Sequence, residues 1–142
     1  MDLKKLFVGG IIGGIANFFL GWLIWGILLM KFMRDHSNPT ASVIFRTEAD
    51  MVWWSLIVGN IALGFLVTYV LMKSSVKTAG TGAATGFVLG LLIAGAVNGI
   101  QYAQMKVYGI TALAVDVLAA AVVSCVAGAV VGWFLGRGTT AS

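Results

Sequence analysis

The chain has 142 residues, 60% of them hydrophobic and 10% charged, with a formal net charge of +4 and a mean hydropathy of +1.00. Soluble domains run at about 45–50% apolar and about 25% charged, so this composition excludes an ordinary water-soluble globule. The small positive excess reads as positive-inside patterning and attraction to anionic lipid, with no nucleic acid implied. The single cysteine excludes an intrachain disulfide.

A helix needs about 20 apolar residues to cross a hydrocarbon core of about 30 Å. Four stretches meet that length: Leu6–Met30, Met51–Met72, Ala79–Gln104 and Tyr108–Gly136. A β-barrel would instead show alternating segments of about 10 residues, and none is seen. The expected fold is an all-α membrane protein, a four-transmembrane-helix bundle formed by one integral membrane domain over 1–142. The first span follows Lys4 and Lys5, but it is much longer than the roughly 7–15 apolar residues of a signal peptide, so it is expected to stay in the mature protein. Along it, Gly10, Gly14, Asn17 and Gly21 are spaced as one face of a helix, and Trp22 and Trp25 stand near its far end.

The connection from Lys31 to Asp50, the expected outer loop 31–50, is the longest. Ser37-Asn38-Pro39 is a turn signal, Val43-Ile44-Phe45 suits the headgroup region, and Thr47 through Asp50 has the form of a capping box that starts the second span. Arg34, Asp35, His36, Arg46, Glu48 and Asp50 alternate in sign and read as a solvated, salt-bridged lip. His36 is the only histidine and has no partner at metal-ligand spacing, so no metal site is expected. Trp53 and Trp54 open the second span; with Trp22 and Trp25 they predict an interfacial aromatic belt, heavier on the outer face.

In the third span Gly82, Gly86, Gly90, Ala94 and Asn98 recur every four residues. In the fourth, Asp116, Ala120, Ser124, Gly128, Gly132 and Gly136 do the same. Residues four apart form one ridge, and in lipid small ridges let backbones approach closely, so these two helices are expected to pack together with a right-handed crossing near −40°. Cys125 lies among Val and Ala in mid-span, where an apolar setting keeps a thiol inert.

Polar residues inside the spans are few: Asn17, Asn60, Asn98, Gln101 and Asp116. At about 1.5 Å per residue, Asp116 lies about 12 Å in from Tyr108, Asn98 about 12 Å in from Lys106, and Asn60 about 13 Å in from Met51. Asn17 is deeper, about 20 Å from Met30. The expectation is a polar layer centred on Asp116, with Asn98 and Asn60 as its hydrogen-bond partners. An intramembrane carboxylate costs about 2.5–3.5 kcal/mol on insertion scales and marks a functional site; its alternative role is to bind helices together.

Basic residues in the connections set the orientation. Lys4, Lys5, Lys73, Lys77 and Arg137 fall on one side, and Lys31, Arg34, Arg46 and Lys106 on the other. The pair before the first span places both termini in the cytoplasm. Ile12-Gly13-Gly14-Ile15-Ala16-Asn17 also resembles Ile93-Ala94-Gly95-Ala96-Val97-Asn98, as though two hairpins were a parallel repeat.

Phe19-Leu20-Gly21-Trp22-Leu23-Ile24-Trp25-Gly26, Glu48 through Trp54, Asn60 through Leu71, Thr85-Gly86-Phe87, and Val115-Asp116 ahead of the Ser124–Trp133 run carry a resemblance. Over nearly the whole chain it is similar to the small four-span bacterial membrane proteins grouped as domain of unknown function seventeen-sixty-one, in a Bacteroidetes-like branch. The resemblance implies the fold and a place in the bacterial cytoplasmic (inner) membrane, and nothing about substrate. Where Asp116 stands, that family more often has Asn.

No catalytic constellation is present and no cofactor is expected. The leading expectation is a structural or interaction protein packing through its Gly ridges, in contact with membrane lipids and with a second copy or another membrane protein. The alternative is a small ion, proton or solute transporter or channel working through the polar layer around Asp116.

Overall fold

The computed structural model describes residues 1–137; the last five residues of the expected domain lie outside the described residues. All the extended apolar segments are helical. Helix α1 runs Leu3–Leu23 and continues as a π turn over Ile24–Leu28, followed by α2 (Met30–Asp35) and the single turn α3 (Ala41–Ile44). Helices α4 (Trp53–Lys73), α5 (Ala79–Gln104) and α6 (Ile110–Gly136) follow. Four of these units are long and apolar enough to cross a membrane: Leu3–Leu28, Trp53–Lys73, Ala79–Gln104 and Ile110–Gly136.

The differences from the expected boundaries have local causes. Asp2 accepts from the backbone N–H groups of Lys4 and Lys5 at 3.0 and 3.2 Å, so α1 starts earlier than its apolar run. At the other end the Leu29 N–H reaches back five residues to the Ile24 carbonyl at 2.7 Å, and the span stops short of Met30. The capping box at Thr47 does not start the second span. The Thr47 hydroxyl bonds the Asp50 carboxylate at 2.9 Å, closing a 3₁₀ turn over Glu48–Asp50. Met51 then leaves in an extended conformation and α4 begins at Trp53.

Between α4 and α5, Ser75 takes a left-handed φ of 55°. The Val76 N–H bonds the Leu71 carbonyl at 2.9 Å and the Ser75 N–H bonds the Met72 carbonyl at 3.1 Å, the paired bonds of a Schellman ending with serine where glycine is usual. Thr78 then caps α5 by accepting from the Thr81 N–H at 3.2 Å.

Packing is uneven. Helices α5 and α6 share the most extensive contact, α1 lies on α4, and both α1 and α4 touch α6, while α5 rests almost wholly on α6. Small residues line the closest approaches. A Cβ built on Gly90 would stand 2.6 Å from Ser124 Cβ and 2.7 Å from the Ala120 carbonyl oxygen, and one on Gly86 would stand 3.1 Å from Gly128 Cα. Gly82 faces Gly132 and Gly128 in the same antiparallel register, and Gly136 faces the Lys77 carbonyl. In the other hairpin a Cβ on Gly14 would lie 2.7 Å from Ile61 Cα, Gly10 faces the Phe65 ring at 2.7 Å, and Gly64 meets the backbone of Gly10 and Gly14. The larger apolar side chains gather at the opposite end from the long loop, where Val67, Leu71, Val131 and Leu135 form a buried cluster.

The long loop is fastened to the α5–α6 connection. The Asn38 N–H bonds the Val107 carbonyl at 2.9 Å, and the Asn38 amide and Thr40 hydroxyl both donate to the Lys106 carbonyl. The Gly109 N–H bonds the His36 carbonyl at 3.2 Å. The alternating charges of this loop do not pair among the described residues: Arg46 reaches the Asp50 backbone carbonyl, at 3.5 Å, instead of a carboxylate.

Candidate functional site

Asp116 lies six residues into α6 and Asn98 six residues before the end of α5. That places both about 9 Å inside the helix ends at 1.5 Å per residue. The α5–α6 register that sets Gly90 on Ser124 brings these two together, and the Asn98 amide donates to Asp116 Oδ2 at 2.9 Å. The same amide nitrogen also donates to the Ala94 carbonyl at 3.0 Å, which uses both of its protons and fixes which end of the side chain is nitrogen.

The second carboxylate oxygen is held from a third span. Trp25, on the π turn of α1, donates its indole N–H to Asp116 Oδ1 at 2.7 Å. Each oxygen therefore has a neutral N–H donor, and the carboxylate links α1, α5 and α6. Among the described residues no ion pair reaches the carboxylate. Its charge is felt at Tyr108, just outside the fourth span, whose phenol is held above its ordinary value of 10.0 first by burial and then by repulsion from Asp116.

The structure regroups the expected site residues. Asn98 and Asp116 meet as the ridge spacing requires. Trp25, expected in the aromatic belt, is instead half-buried on the carboxylate, while Trp22, Trp53 and Trp54 are largely exposed. Asn60 is not a partner of Asp116. Its amide donates to the Leu56 carbonyl of its own helix at 2.8 Å, and it lines a shallow groove with Arg46, Met51 and Ser55. Asn17 does not join the layer either. It is 3% exposed, with its amide nitrogen unbonded among the described residues. Gln101 lines a cavity of about 170 Å³ beside Asn98, outside the carboxylate's hydrogen bonds. The participation of Trp25 had one signal in the sequence, a second indole three residues beyond Trp22, and that spacing does not reveal the π turn that aims it.

Comparison with known proteins finds no family model, curated protein or solved structure that matches this chain.

Proposed function

We propose that this chain is a non-enzymatic interaction protein of the bacterial cytoplasmic membrane, with both termini in the cytoplasm, that associates side by side with a second copy of itself. Its interior is closed by small-residue contacts within each hairpin and by the Asp116 clamp. The ridges Gly82–Gly90 and Ser124–Gly132 face one another within one chain, so they are used in closing the monomer. What supports association is the exposure of α5: that span rests almost wholly on α6, and at Gly95 and Gly99, one position around from the packed ridge, no atom of another described helix lies within 4 Å of where a Cβ would stand. With Ala103 they repeat the small-xxx-small spacing, the pattern by which membrane helices approach one another.

The test is disulfide trapping in native membranes, using Gly95→Cys and Gly99→Cys in a Cys125→Ala background and Val122→Cys on α6 as an exposed control. Dimer trapped at both glycine positions and not at the control supports the reading. Trapping of another protein in place of a second copy would change the partner, and monomer at every position would end the proposal.

A polar path for ions, protons or solutes has less support. Two of its expected members, Asn60 and Asn17, stand away from the carboxylate's hydrogen bonds, and both Asp116 oxygens are taken by donors.

A further inference from the structure

The loop fastened to the α5–α6 connection borders a partly open cavity of about 170 Å³ between the end of α5 and the start of α6. One water needs about 10–15 Å³ of such space, and an engineered apolar cavity of about 150 Å³ takes benzene, so this volume matches a single ring. Its walls suit one. Phe45, just past α3, stands with its ring 5.5 Å from that of Tyr108, Tyr102, Met105 and Leu113 add to the apolar lining, and Gln101 adds a second side-chain amide beside that of Asn98.

No residue lining the cavity carries a formal charge, and burying an uncompensated ion there is costly, so the occupant is neutral. One polar group is already fixed. Asn98 is 9% exposed and both its amide protons are spent on Ala94 and Asp116, which leaves its carbonyl oxygen as an acceptor only. The ligand that complements this arrangement has one ring and one hydroxyl or N–H donor.

We infer that the cavity is a binding site for a neutral phenol-like ring, a small membrane-soluble molecule whose hydroxyl donates to the Asn98 carbonyl while its ring lies among Phe45, Tyr102 and Tyr108. The carboxylate takes part indirectly, by holding Asn98 so that its oxygen is the free end. This site is independent of any contact on the outer face of α5.

The experiment uses the full chain in phosphatidylcholine nanodiscs with 4-fluorophenol as probe, read by fluorine NMR against empty nanodiscs. Saturable binding that unlabelled phenol displaces is expected. Fluorobenzene, which lacks the hydroxyl, should bind about two- to tenfold more weakly, the fold-change that corresponds to one net hydrogen bond. Leu113→Trp and Met105→Trp fill the cavity from α6 and from the connection respectively, and either variant that keeps the wild-type helical spectrum should lose the saturable signal. Uptake no different from empty nanodiscs, or wild-type binding in both filled variants, overturns the site; equal affinity for fluorobenzene overturns the assignment of Asn98 as acceptor.

Discussion

Gly86→Ala isolates the contact between α5 and α6. Its new Cβ would overlap the Ser124 carbonyl oxygen and stand 3.1 Å from Gly128 Cα, where carbon atoms prefer about 3.5–4.0 Å. The neighbours are backbone on both sides, so no side chain can swing away and the helices must separate by about 1 Å. A gap of that size forfeits about a quarter to a half of each dispersion well, and overpacking of this kind costs about 1–3 kcal/mol. Alanine recovers up to about 1 kcal/mol through its better helix propensity, so the net loss expected is about 0–2 kcal/mol, and about 1–3 kcal/mol relative to a control with the same propensity gain. Gly59→Ala on α4 supplies the control, because no atom of another described segment lies within 4 Å of its Cβ position; it should be neutral or stabilising by up to about 1 kcal/mol. Reversible unfolding in mixed detergent micelles containing one chain each gives both values. If Gly86→Ala proves as stable as Gly59→Ala, the two backbones are not in contact and the packing argument fails.

Asp116→Asn should destabilise by about 1–2 kcal/mol in the same assay, because the new amide nitrogen must face either the Trp25 N–H or the Asn98 amide, donor against donor; unchanged stability would show that the two donors do not hold both oxygens. Asn98→Leu should cost more than Asn60→Leu, since the first leaves Asp116 Oδ2 unbonded in the membrane while the second removes a bond confined to one helix; equal costs would contradict that assignment. Ser75→Gly relieves a left-handed φ and should stabilise by about 1 kcal/mol; a loss would mean that the Schellman ending is not formed. Tyr108 should ionise after a free tyrosine, and because its folded pKa is raised, stability is intact below about pH 10 and falls as the pH climbs from there through the folded value. Ultraviolet titration of tyrosinate should show that transition moving down in Asp116→Asn, and an unmoved transition would remove Asp116 as one of its causes.

The parts of this molecule that could be read from the sequence are those governed by length and period. A span of 20 or more apolar residues has one stable form in a bilayer, and α5 falls on its expected range. The Asn98–Asp116 pair was legible for the same reason: both end ridges of small residues four apart, so bringing the ridges together brings the polar ends together. What was not legible depends on local competition for hydrogen bonds. Asn60 sits at a depth that suggests a shared layer, but the carbonyl four residues earlier satisfies its amide at no cost in reach. Thr47 and Asp50 have capping-box spacing, yet the hydroxyl bonds the carboxylate in place of the backbone and closes a 3₁₀ turn. Trp25 reads as an interfacial residue until the π turn over Ile24–Leu28 sets its indole on the carboxylate, and no periodic pattern in the residues marks where one turn widens.

The claim on which the site rests is that the Asp116 carboxylate joins the first span to the fourth through Trp25. A double-mutant cycle of Trp25→Phe and Asp116→Ala, measured by reversible unfolding, reads that link directly. Inter-helix hydrogen bonds in membranes couple by about 0.6 kcal/mol on average and up to about 1.7, and for a contact of 2.7 Å a value within that range is expected here. Strictly additive losses, with each substitution costing the same whether or not the other is present, would contradict it.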